Sequence, residues 1–193
     1  TTSSSAMGRI HPRRLVVYIV GCLLGLLLLL KKGSQQRHYR LFIPNHDPQQ
    51  VWELLADYSN MPQLNMRIEN WELVDETGNF DNWSYKVITY ERMMGDVVFG
   101  LNVNHIEVTV KPIKAPDHYF MQENCLTYTF RGLIIVNNVG DMHIKSAVEN
   151  GVQGTEFTET VTMDCPILFG QLCNWESDEN RKDFLENLEI WFE

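Results

Sequence analysis

The residues able to do chemistry are few, and one stands out by parity. Along the run Thr155–Met163, Phe157, Glu159, Val161 and Met163 share one face. Glu156, Thr158, Thr160 and Thr162 share the other. A carboxylate on an apolar face has two readings. It is a polar anchor or general base inside a cavity, where burial raises its pKa, or it is a rim carboxylate held by a hydroxyl or basic partner such as Arg131. The six histidines (His11, His38, His46, His105, His118, His143) form no HxxxH and no His–carboxylate spacing, so no metal is expected. Gly100, Gly132 and Gly140 are isolated, and no phosphate loop or serine elbow is present. No cofactor motif is found. Cys22 falls in an apolar run. Cys125, Cys165 and Cys173 fit neither a zinc spacing nor a disulfide framework, and read as buried free thiols of a reducing compartment. One sequon, Asn82-Trp83-Ser84, is too common by chance to place the chain in a lumen.

The elements that must position these residues follow from periodicity. Tyr39–Ile43 is a short apolar strand. Asp47 caps a helix over Pro48–Asp57, with Pro48 in its first position and Gln50 three residues after the cap. Val51, Leu54 and Leu55 supply its buried face, and a second short turn runs through Leu64. The period then becomes two. Strands are expected at Ile68–Glu76, Trp83–Arg92, Val97–Lys111, His118–Cys125, Asn137–Glu149 and Thr155–Met163. Turn chemistry separates them at Thr77-Gly78-Asn79, Met94-Gly95-Asp96, Ala115-Pro116-Asp117 and Asn150-Gly151. The stretch 126–136 is either strand or apolar loop. Residues 167–193 are helical, with Phe184, Leu188 and Trp191 as the stripe and Leu185 and Phe192 widening it. Arg181 and its charged neighbours fill the other face. Strand runs framed by helices mean an α+β fold with a seven-stranded antiparallel sheet. Its inward residues are Trp71, Leu73, Tyr85, Val87, Ile106, Val108, Met142, Ile144, Ser146, Val148, Phe157, Glu159 and Val161. Phe184 and Leu188 face them from the C-terminal helix, leaving a cleft between helix and sheet.

Charge is segregated. The net charge of 193 residues is −9, yet residues 1–40 hold seven basic side chains and no acidic one. Residues 41–193 hold the other nine basic and all 25 acidic residues, a net of −16. Such a body excludes a nucleic-acid partner, which would need a basic footprint. The basic residues Arg13, Arg14, Lys31 and Lys32 flank an uncharged run, Leu15–Leu30. As a helix this run measures about 24 Å, short of a hydrocarbon core of about 30 Å. It reads as a single-pass transmembrane anchor, with a cleaved signal peptide or a re-entrant segment as alternatives; no small-x-small cleavage site follows it. Basic residues on both sides leave its orientation open.

Two motifs carry a resemblance. The run Val51-Trp52-Glu53-Leu54-Leu55-Ala56-Asp57-Tyr58-Ser59-Asn60-Met61-Pro62-Gln63-Leu64-Asn65 resembles the helical hairpin of the START-like (SRPBCC, polyketide cyclase/dehydrase and lipid-transfer) superfamily. Gly154-Thr155-Glu156-Phe157-Thr158-Glu159-Thr160-Val161 resembles the superfamily's last strand. Leu64 stands where many members have Trp, and no catalytic signature carries across. The resemblance implies a helix-grip fold over 39–193, a curved sheet around a long helix, and an apolar pocket for a lipid, sterol, quinone or other hydrophobic small molecule.

The expectation is therefore a tail (1–14), a transmembrane segment (15–30), a basic linker (31–38) and a helix-grip domain (39–193). Together they make a membrane-anchored binding module for a hydrophobic ligand, without cofactor, metal or nucleic acid. It is expected on an internal membrane with the domain facing the cytosol. A cyclase- or dehydratase-type enzyme using Glu159, or a membrane-bound adaptor, are the alternatives.

Overall fold

A computed structural model describes residues 12–29, 31–79, 82–92, 101–112, 117–129, 131–132 and 134–193. Three expected features lie wholly or partly outside them: residues 1–11 of the tail, the Met94-Gly95-Asp96 turn with the strand start at Val97 and with Gly100, and Ala115-Pro116. Helix α1 covers Pro12–Leu29, α2 Pro48–Ala56, α3 Met61–Leu64 and α4 Gly170–Trp191. The strands are β1 (Lys32–Pro44), β2 (Ile68–Asn79), β3 (Asn82–Arg92), β4 (Leu101–Pro112), β5 (His118–Thr129), β6 (Ile134–Glu149) and β7 (Val152–Pro166).

All seven strands form one antiparallel sheet in the order β1-β7-β6-β5-β4-β3-β2. Every neighbour after the first pair is also a sequence neighbour, as short turns demand. Asn150 and Gly151 turn β6 into β7, both with positive φ, the αL conformation that Asn and Gly tolerate best. Strand β1 returns to pair with β7 along its whole length, from Lys32↔Pro166 to Pro44↔Gly154. The basic linker expected over 31–38 is thus strand from Lys32 onward. The ambiguous stretch 126–136 also resolves: β5 continues to Thr129, Arg131 and Gly132 turn with positive φ, and β6 starts at Ile134.

Helix α2 starts as its cap chemistry requires. The Gln50 side chain accepts the Asp47 backbone N–H at 3.1 Å, which satisfies one of the orphan donors of a helix start. Its Val51 and Leu55 are fully buried. They join Leu64, Tyr85, Val87, Val108, Ile144, Phe157, Phe184 and Leu188 in one core. Trp52 stacks on Tyr119 at 5.1 Å. Each such large apolar side chain contributes roughly 1.5–3 kcal/mol on burial.

Inward parity fails at three expected places. Leu73 is 53% exposed, because register shifts at Ile68/Asn70 and Leu73/Asp75 turn β2 out of phase. Ser146 and Val148 are exposed at the far end of β6, beyond the cover of the helices. Trp191, placed on the helix stripe, is 44% exposed.

The run expected to cross a membrane does form a helix, α1. Among the described residues, however, no helix is long and apolar enough to cross a membrane. The first turn of α1 contains Arg13 and Arg14, which shortens its uncharged part.

Candidate functional site

The first half of α4 and one end of the sheet do not meet. Between them lies a cavity of about 210 Å³. From α4 and the turn before it, Phe169, Leu172, Cys173, Glu176, Ser177, Asn180, Arg181 and Phe184 face it. Their spacing of three and four residues is one face of a helix. The second half of that same face, Phe184 and Leu188, is packed into the core. Helix α4 therefore seals the domain at its C-terminal half and roofs a cavity at its N-terminal half.

Six interactions hold the roof in place. Cys165, at the end of β7, forms a disulfide with Cys173. This corrects the expectation of free thiols for those two residues; the eight-residue separation bridges a strand end and a helix start, which no spacing rule reveals. Cys125 remains free and buried, and burial pushes its thiol far above the ordinary range. The Tyr39 hydroxyl donates to Asp178 Oδ1 at 3.0 Å. Arg67 binds Glu176 at 2.9 Å and Asp183 at 3.1 Å. Asn187 donates to the Leu64 carbonyl at 3.0 Å. Arg181 Nη2 lies 2.7 Å from Glu159 Oε1.

The Arg181–Glu159 pair corrects a second expectation. Arg131 sits at an exposed turn, and Arg181 is the partner of the inward carboxylate. Arg181 was placed by periodicity on the outer face of the helix. It instead reaches inward, with its guanidinium 5.4 Å from the centre of the Phe184 ring, a distance suited to cation–π attraction. Glu159 is 1% exposed. Burial raises its pKa to about 7, against the opposing pull of Arg181.

The strand side of the cavity is more polar than the sequence suggests. Pairing across the sheet sets Glu91 opposite Asn102, and Asn104 opposite Thr127. Glu123 lies between Val108 on one side and Gly140 on the other. All five polar or acidic side chains named here, with Thr129 and Asn138, face the cavity together with apolar Ile68, Ile106, Ile134, Val136, Val161 and Met163. Gly140 keeps the floor open: a Cβ there would lie 3.3 Å from Glu159 Oε1 and 3.8 Å from the Glu123 Cβ. Glu91 accepts from Asn65 at 3.1 Å and from Asn104. Burial raises the pKa of both Glu91 and Glu123.

Of the residues expected to wall the cavity, Ile106, Val161 and Phe184 line it. Tyr85, Val87, Val108, Met142, Ile144, Phe157 and Leu188 lie in the packed core beside it, and Trp71 packs on that core. Glu159 stands behind Arg181. Glu91, Asn102, Asn104, Glu123 and Arg181 were not anticipated. The signal was present for two of them, since Asn102 and Asn104 share the parity of Ile106 and Val108 on β4. Among the described residues no group of three or more His, Cys, Asp and Glu is placed to hold a metal ion.

No family model and no curated protein matches the sequence. Solved structures do match in fold. A conserved protein from Geobacillus kaustophilus superposes with a TM-score of 0.57 at 17% identity, covering 82% of this chain and 95% of that one. The Zhui aromatase/cyclase from Streptomyces sp. R1128 gives 0.58 at 11% identity, covering 83% and 94%. Norcoclaurine synthase from Thalictrum flavum, solved with dopamine and hydroxybenzaldehyde, gives 0.53 at 10% identity, covering 99% and 96%. A seven-stranded antiparallel sheet gripped by one long C-terminal helix, shared over nearly the whole of these chains, is the START-like (SRPBCC) helix-grip fold, and this chain has it.

Proposed function

We propose that this chain binds a compact hydrophobic small molecule in the cavity between the sheet and the first half of α4. The observation that carries the proposal is the unfilled space itself. A fold that packs Phe157, Ile144 and Leu188 to zero exposure a short way along the same sheet leaves about 210 Å³ open at one end. Interiors are normally close-packed, and a void of this size costs stability. The volume falls below the usual range of about 300–1,000 Å³ for small-molecule pockets. That favours a one- or two-ring or short-chain ligand over a diacyl lipid.

The enzymatic alternative has weaker support. Glu159 is buried behind Arg181 rather than presented to the cavity, so it lacks reach to a bound substrate. The adaptor alternative needs a side-chain-packed interior, which the cavity opposes.

The finer part of the proposal is a tether. Val16, Val17, Tyr18, Leu23 and Leu24 on α1 are about half exposed or more, and Arg13, Arg14, Lys31 and Lys32 flank them. An apolar helix whose described side chains are largely exposed, bounded by cations, suits insertion into a bilayer.

Native mass spectrometry of the purified full chain tests the binding proposal. A co-purified small molecule is expected, and Val136→Phe, which fills the cavity from β6, is expected to abolish it. A ligand retained at full occupancy in the Val136→Phe protein would place binding elsewhere and overturn the proposal.

A further inference from the structure

The polar end of the cavity has an unbalanced chemistry. Three carboxylates converge there, those of Glu91, Glu123 and Glu159, and the cation among them is Arg181. Arg181 is committed to Glu159 and to the Phe184 ring. Arg67 is committed to Glu176 and Asp183. Arg92, at the rim, pairs with the surface residue Glu69.

Glu123 is the residue left over. Among the described residues it makes no hydrogen bond and no ion pair, and it faces the cavity. A partly buried carboxylate that lines a cavity without a hydrogen bond or close counter-ion is costly. A second, independent observation concerns the amides beside it. Asn102 and Asn104 are 8% and 3% exposed and both line the cavity. The side-chain oxygen of each, Oδ1, is buried without a hydrogen-bond partner. Buried acceptors are normally satisfied. Here two orphan amide oxygens and one unpaired carboxylate border the same space. Every one of them is an acceptor, so the missing partner must be a donor. A carboxylate or phosphate ligand would bring more acceptors to a site whose cations are taken. A hydroxyl offers one donor proton and no charge. A primary ammonium offers three donors and a positive charge in hydrogen-bond contact, which Glu123 lacks.

We infer that the ligand of this cavity is a small amphipathic amine, its ammonium bound by Glu123 and the side-chain oxygens of Asn102 and Asn104, its apolar body against Ile106, Val136 and Val161. This rests on the cavity being the binding site, as proposed above, and names the ligand class it takes. Arg181 acts on Glu123 through space, but its close ion pair is with Glu159 on the β7 side, which leaves Glu123 without a hydrogen-bonded cation.

The test is a titration of the full chain at pH 7 with three probes of one shape: 4-phenylbutylamine, 4-phenylbutanol and 4-phenylbutyrate. The amine is expected to bind at least tenfold more tightly than the alcohol, and the butyrate most weakly. Glu123→Gln, an isosteric change, is expected to remove the preference for the amine, bringing its affinity to within about twofold of the alcohol's in the same variant. Asn104→Leu, a second variant in the same acceptor set, is expected to weaken the amine more than the alcohol. Equal binding of amine and alcohol, tighter binding of the butyrate, or an amine preference that survives both substitutions would overturn the inference and leave the pocket standing. Binding of none of the three would overturn both.

Discussion

Glu159 is the residue at which reading by parity succeeded and reading by proximity in sequence failed. Alternation alone places its carboxylate inward, and the structure leaves it 1% exposed. Its partner Arg181 was hidden, because a helix with charge on most of its surface gives no sign of which cation turns inward. The same blindness concealed Glu91 and Glu123: polar residues on an inward face break the very alternation that marks a strand. The pair has a consequence in pH. The folded-state pKa of Glu159 is raised to about 7 from 4.5, so the folded state holds this proton more tightly than the unfolded chain. Its contribution to stability is present in full below pH 4.5 and is lost as pH rises through 7. The gradient is worth up to about 3 kcal/mol at 1.36 kcal/mol per pKa unit. Glu159→Gln is expected to flatten the stability profile across that window, measured by urea unfolding at a series of pH values. It is also expected to lower stability above pH 7, where the parent carboxylate is ionised and Arg181 in the variant keeps a buried charge without its counter-ion. An unchanged pH gradient in the variant would show that Glu159 does not titrate as placed.

At the scale of elements, the disulfide decides how the roof of the cavity is held. Cys165 and Cys173 join the end of β7 to the first turn of α4. Closing a loop of eight residues removes chain entropy from the unfolded state worth about 2–3 kcal/mol. Cys173→Ser is expected to lower the melting temperature by about 5–10 °C in a domain of this size, read by thermal unfolding without reductant. Adding reductant should bring the parent protein to the same value. A parent protein indifferent to reductant would mean that the bond contributes nothing. The bond also bears on compartment, since disulfides persist where the surroundings are oxidising. Most elements were legible because their apolar residues recur at two or near 3.6. The exceptions have physical causes. Lys32–Arg37 of β1 is polar on both faces, and its strand character comes from pairing with β7 rather than from its own pattern. Leu126–Thr129 is apolar or hydroxylic on both sides, so no period marks where β5 stops. The cavity was legible only as a consequence of fold, because its open volume depends on Gly140 and on where α4 is clamped.

At the scale of the whole molecule, two charge regimes meet at the start of β1. The body over 41–193 is acidic, and the seven basic residues of 1–40 lie at positions 9, 13, 14, 31, 32, 37 and 40, the last three within β1. Strand β1 continues almost directly from α1, with Lys31 and Lys32 at the junction. The edge of the sheet is thereby held within a few residues of the apolar helix, with little slack for the domain to travel. Under the proposed tether, a binding cavity so placed would be restricted to the membrane that holds the helix, and would gain local concentration there rather than reach. An acidic body would resist collapse onto anionic headgroups, while Arg13, Arg14, Lys31 and Lys32 would meet them. The tether is then separable from the fold. The full chain is expected to stay with the membrane fraction through alkaline carbonate extraction. Replacing Val17, Val20, Leu23 and Leu24 by serine is expected to release it to the supernatant, with the thermal transition of the domain unchanged because, among the described residues, none of α1 belongs to its core. A parent chain extracted as readily as the variant would remove the tether from the proposal and leave the cavity as it stands.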